Sequence, residues 1–224
     1  MIAGQYGLTS TLYTISQFVA TICEGRDESH GWKHGYEVTE LALNLSMKWK
    51  SDISREFLEG IIIVGFSHDV NDSKYDIDGT LGEQLKQFMC STFGSTKGQW
   101  YCAIIDRISY SKEIKMRQTT GTVDWLPLLG KLGAAIREYV SIADKLESLG
   151  KTGHERSKDY NRKVFLKKHG REPTEKELFD LVSFIVDTKL LTLKNFIYID
   201  NGKELSEILT KELVDLHEQW RLTL

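Results

Sequence analysis

Only two of the 224 residues are proline, Pro127 and Pro173, and that scarcity most constrains what the chain can fold into. Proline fixes φ and removes a backbone donor, so it ends or kinks any helix that contains it. A chain nearly without it can be helical almost anywhere, and the apolar spacing shows where. Leu12, Ile15, Phe18, Val19 and Ile22 recur at helical intervals over 9–24. The polar stretch Glu24-Gly25-Arg26-Asp27-Glu28-Ser29 ends that helix. A longer helix follows from about 30 to 50, with Val38, Leu41, Ala42 and Leu45 as its inner stripe. Ser54 reads as the N-cap of a third, which buries Phe57, Leu58, Ile61, Ile62 and Val64 and ends near His68.

The polar, glycine-punctuated stretch 71–82 reads as a loop, and helical spacing resumes over about 80–94 and 98–108. Residues 117–130 look loop-like, with Thr119-Thr120-Gly121 and Pro127 breaking the period. A strong helix then carries Leu132, Ala135, Ile136, Tyr139, Val140, Ala143 and Leu146. After Gly150 the chain is basic, from Lys151 to Arg171, but Glu155, Asp159 and Glu172 interrupt the run, as on a solvated helix with charged faces. Thr174 followed three residues later by Glu177 predicts a capping box. A last amphipathic helix spans about 204–222; its Leu205, Ile208, Leu209, Leu216 and Trp220 can serve a homodimer or pack on the chain's own domain. Phe196-Ile197-Tyr198-Ile199 reads as a short strand with no evident partner. The expected class is all-α, in one domain over 1–224.

Charge and cysteine content exclude several functions. A net charge of −3 lacks the basic excess of a protein that binds nucleic acid through its field. Cys23, Cys90 and Cys102 are odd in number and lack CxxC spacing, which predicts reduced thiols in a cytoplasmic setting. The N-terminus lacks the pattern of a secretory signal, and the longest apolar run is too short to span a bilayer, so no membrane partner is expected.

That run, Ile61-Ile62-Ile63-Val64-Gly65-Phe66, ends in the doublet His68-Asp69. Upstream stands Ser29-His30-Gly31-Trp32-Lys33-His34, and far downstream Ile142-Ala143-Asp144-Lys145-Leu146. His30 and His34, four apart, share one helix face. Such a pair is usually structural or at the surface, and a histidine beside an aspartate can equally be a satisfied helix terminus. Asp144 lies on an otherwise apolar helix side, where a carboxylate needs a cation or a hydrogen-bond partner. Together a histidine, a His-Asp doublet and a distant aspartate can close around one divalent cation.

In order and spacing, His34, His68-Asp69 and Asp144 resemble the motifs of the HD-domain metal-dependent phosphohydrolases. Ser29 to Val38 is similar to the family's opening motif, Ser-His-Asp-Trp-x-His-x-x-Arg-Val, and 142–150 resembles its Asp-Ala-Asp-Arg-Leu-Asp-Ala-Leu-Gly segment. The likeness covers about 8–165, which it makes the domain core, with 171–224 as a helical extension. Gly31 and Glu37 depart from the pattern. Ile108-Ser109-Tyr110-Ser111 lacks a further histidine found in many relatives, which argues for a single metal.

The resemblance implies an HD-domain helical bundle with one buried metal site. Its ligands would be His34, His68, Asp69 and Asp144, around one cation such as Mn²⁺, Co²⁺, Ni²⁺, Fe²⁺ or Mg²⁺. It implies hydrolysis of a phosphate ester by a metal-activated water, with a small phosphorylated molecule, foremost a (deoxy)nucleotide, as substrate. Asp72 stands where relatives carry a carboxylate that orients water or protonates the leaving oxygen; as an alternative, it caps the loop. His30 would support the ligands or touch phosphate. Lys74, Lys112, Lys115, Arg117, Lys145 and Arg156 are the cationic candidates for substrate phosphate, Lys74 and Lys112 foremost. Trp32, Tyr36, Tyr75 and Tyr110 could stack on a base or belong to the core. Two other readings stand beside this one. A non-catalytic module on the same fold would sense a nucleotide or hold a partner, and an HD-type oxygenase would need two irons and more histidines than the six present.

Overall fold

The computed structural model describes residue 4 and residues 6–26, 30–49, 53–121 and 124–224, the side chain of Trp49 excepted. Asp27, Glu28 and Ser29 of the first polar break, and Lys50 at the expected end of the second helix, lie outside them. The described residues contain helices and no strand, so the chain is all-α. It divides into two compact units, Met1–Ala143 and Asp144–Leu224.

In the first unit α1 is Thr9–Ile22, α2 Trp32–Trp49, α3 Arg55–Ser67, α4 Thr80–Phe93, α5 Ser95–Ile105 and α6 Tyr110–Thr120; α7, Leu126–Glu147, begins here. At the centre is α3, which packs against α1, α2 and α5. Ser54 caps it as expected, extended at ψ 149° and accepting the Phe57 N–H at 3.1 Å. Phe57, Leu58, Ile61, Ile62, Ile63, Val64 and Phe66 are all buried. From Gly60 to Ser67 every residue of α3 is buried, so this stretch of the helix lies in the core. Each such side chain contributes about 1.5–3 kcal/mol by leaving water.

Two glycines let α2 and α3 approach closely. A Cβ on Gly35 would stand 2.7 Å from the Phe66 carbonyl oxygen, and one on Gly65 would stand 2.5 Å from Thr39 Oγ1. Both distances are below ordinary contact, so the two helices touch through their backbones here.

The structure corrects two expectations. Residues 117–120 continue α6, where Thr119 and Thr120 fold their hydroxyls back onto the carbonyls of Lys115 and Met116 at 2.7 and 2.9 Å, and the helix ends only at left-handed Gly121. Pro127 lies in the first turn of α7, where a missing N–H breaks no bond. Residues 190–196 form a 3₁₀ helix, with Ile197 extended after it, where a strand was expected. A strand needs a neighbour to pair with, and the chain offers 196–199 none among the described residues.

The second unit holds the end of α7, then α8 (Gly150–His169), α9 (Glu175–Thr188), the 3₁₀ turn and α10 (Asp200–Arg221). The basic run is α8, and Lys167, Lys168 and His169 in its last turn complement the helix dipole. Thr174 and Glu177 form the expected capping box at α9. α10 packs on α8 in its own unit, with Leu213 buried and the Trp220 ring 5.2 Å from Phe179, while Ile208 on the same helix is 60% exposed. All three cysteines are free thiols. Among the described residues, no helix is long and apolar enough to cross a membrane.

Candidate metal centre

The close approach of α2 and α3 builds the site. His34, next to Gly35, is 3% exposed, and His68, the C-cap of α3, is 6% exposed. Their Nε2 atoms lie 3.2 Å apart. His68 Nδ1 lies 2.7 Å from the Gly65 carbonyl oxygen. Only an N–H can donate to that acceptor, so in the neutral ring the Nε2 of His68 carries the lone pair. This is the tautomer a metal ligand needs, with its other nitrogen anchored to backbone.

Asp69 follows directly, with Oδ2 3.5 Å from His34 Nε2 and Oδ1 3.5 Å from His68 Nε2. Asp144 stands on α7, directly after Ala143 and well past the break that Gly130 makes in that helix at φ 67°. Ligand atoms of His34, His68 and Asp144 all lie within 4.8 Å of one another, a group that can hold a metal ion. Two imidazole nitrogens and carboxylate oxygens suit a borderline first-row cation better than a thiol-seeking one. The residues present fit the implied metal.

Other expected residues fall around this centre or away from it. Lys74 Nζ lies 3.2 Å from His30 Nε2, and the His30 ring is 5.4 Å from that of Tyr75. One oxygen of Asp72 accepts the Lys74 backbone N–H at 2.8 Å, the loop-cap alternative, and the carboxylate stays partly accessible. Lys112 donates to the Asp106 carbonyl, which engages it outside the His34/His68 pair. Arg117 is exposed in the last turn of α6. Lys145 is 2% exposed, unusual for a lysine, and adjoins Asp144 in sequence. Arg156 pairs with Glu147. Trp32 is 53% exposed on the first turn of α2, whereas Tyr36 lies edge-on to Phe66 at 6.2 Å.

Sequence reading missed Arg26. Its Nη1 and Nη2 each donate at 2.7 Å, to the carbonyls of Asp69 and Val70, and its guanidinium lies 4.5 Å from the Tyr75 ring centre. Standing in a polar break, it carries no motif, and only the fold brings it to the doublet.

No family model and no curated protein matches the chain. Solved structures do. A Bacillus subtilis protein, YpgQ, in complex with ADP is 20% identical with a TM-score of 0.62, over 96% of this chain and 95% of that one. A Lactobacillus plantarum protein is 18% identical with a TM-score of 0.69, over 96% and 97%. A Listeria innocua protein is 17% identical with a TM-score of 0.58, over 95% and 94%. The chain shares its fold with these proteins.

Proposed function

We propose that this chain is an HD-type phosphohydrolase that uses one divalent cation to hydrolyse a phosphate ester or anhydride of a nucleotide. The observation that carries the reading is the buried pair of imidazole nitrogens, 3.2 Å apart, which with Asp144 forms a group able to hold a metal, while each oxygen of Asp69 lies 3.5 Å from one of the two histidines. ADP bound to the B. subtilis protein of the same fold supports a nucleotide as the substrate class.

Held there, a divalent cation supplies a Lewis acid for a phosphoryl oxygen and lowers the pKa of water. The chain's own residues do the rest. His68 keeps its Nε2 lone pair on the site because Gly65 holds the opposite N–H. Asp69 and Asp144 bring negative charge that offsets a cation in a half-buried setting. The His30–Lys74 pair beside Tyr75 offers positive charge and a ring face for a substrate with phosphate and base. Asp72, in the turn that follows Asp69, is the carboxylate available to take or return a proton.

The test is release of phosphate or pyrophosphate from a panel of nucleoside mono-, di- and triphosphates, with Mn²⁺, Co²⁺ or Mg²⁺, in wild type and Asp144→Ala. Metal-dependent release lost in the variant is expected. Protein that holds the metal and binds a nucleotide without releasing product is the non-catalytic module instead.

A further inference from the structure

We infer that Arg26 is a positioning residue for the metal centre, aiming the Asp69 carboxylate by gripping the backbone that carries it. The inference rests on the metal reading above and adds a residue outside every motif.

After α3 the chain leaves its helix at His68, and carbonyls there have no helical donor. Arg26 takes two in succession, Nη1 to Asp69 O and Nη2 to Val70 O, both at 2.7 Å. Two parallel bonds from one planar guanidinium fix orientation as well as distance. The Asp69 carbonyl also accepts the Asp72 N–H at 3.1 Å, so the same grip holds the turn that presents Asp72. On the other side, the guanidinium lies over Tyr75, whose ring neighbours His30, itself 3.2 Å from Lys74 Nζ. One side chain thereby ties the segment before α2 to the backbone that follows His68-Asp69 and, through Tyr75, to the His30–Lys74 pair.

Asp69 is only part-buried, with a quarter of its side chain exposed, so packing alone does not hold it 3.5 Å from both histidines. Its backbone does, and Arg26 holds that backbone. A lysine could reach one carbonyl at a time, because its single ammonium has no fork.

The experiment is Co²⁺ titration of the full chain, followed by the visible ligand-field spectrum. It compares wild type, Arg26→Ala, Arg26→Lys and Asp69→Ala, each with and without added methylguanidinium. Loss of a group that orients a metal ligand costs about 10–100-fold in affinity. Arg26→Ala is expected to weaken Co²⁺ by that factor and to change the spectrum. Methylguanidinium should restore part of the affinity in Arg26→Ala and none in Asp69→Ala. Should Arg26→Ala not fold, Arg26→Lys carries the test, with a smaller weakening and the same spectral change. Wild-type affinity and spectrum in the folded Arg26 variant overturn the inference while leaving the metal centre standing. Wild-type protein that takes up no Co²⁺ overturns the metal reading, and the inference with it.

Discussion

Substituting Gly35 by alanine tests how the centre is built. The added Cβ would stand 2.7 Å from the Phe66 carbonyl oxygen, 3.2 Å from its Cα and 3.3 Å from its carbonyl carbon. All three are backbone atoms, so no side chain can rotate away. Carbon contacts relax near 3.5–4.0 Å, and α2 must therefore move off α3 by about 1 Å at this level. His34 immediately precedes the substituted residue, and His68 follows Phe66 by two. The same movement thus opens the 3.2 Å gap between their Nε2 atoms. Metal–ligand distances tolerate only about 0.2 Å, and a misplacement of about 1 Å at a reacting centre costs on the order of 100-fold. Overpacking costs about 1–3 kcal/mol, and the better helix propensity of alanine returns up to about 1 kcal/mol. The apo protein should therefore lose about 1–2 kcal/mol, or a few degrees of Tm, while Co²⁺ affinity falls by roughly 10–100-fold. Calorimetry of Co²⁺ binding, with thermal unfolding of the apo protein, separates the two effects. A folded Gly35→Ala protein that binds Co²⁺ within a factor of about three of wild type would refute the claim that helix spacing sets the histidine pair.

Two further predictions concern stability. Arg137 and Glu113, 1% and 0% exposed, form a 2.5 Å ion pair, and Arg137 Nε also donates to the Arg107 carbonyl at 2.7 Å; Arg137→Met should cost about 3–5 kcal/mol by urea unfolding, and Glu113→Leu in the same chain should recover part of it, so a single variant costing under about 1 kcal/mol would sink the argument. In the second unit Ser183 Oγ donates to the Phe179 carbonyl at 2.8 Å and accepts from His217 Nε2 at 2.9 Å, which leaves His217 Nδ1 to accept from His154 Nε2 at 3.3 Å, a chain that holds only while His217 is neutral. Burial lowers both pKa values, His217 and Lys158 pushing His154 the same way while Glu155 opposes, and Asp187 and Glu218 opposing at His217. With folded values below the unfolded one near 6.5, stability is complete above about pH 6.5 and declines as pH falls toward the folded values, by at most about 1.4 kcal/mol per pH unit per proton. Hydrogen exchange of residues 144–224 at pH 7.5 and 5.5 should show this loss, and His154→Phe should flatten it; equal slopes in wild type and variant would refute it.

What the sequence determines by itself is local. Proline scarcity and apolar periodicity specify the helices, and Ser54 and Thr174 mark two starts, because a cap is decided within one turn by a side chain and a backbone N–H. The same locality makes His68-Asp69 visible, as ligand-type residues at the end of an apolar run, and it hides the helical threonines at 119–120, whose hydroxyls bond back within their own turn. Tertiary structure decides which of these groups meet. Nothing in the spacing says that Gly35 and Gly65 set the separation of α2 and α3, that Arg26 reaches carbonyls more than forty residues away, or that His154 and His217 share a hydrogen bond. Such contacts depend on helix separations fixed to fractions of an ångström by packing from several elements at once, and packing is a property of the folded whole that no local pattern contains.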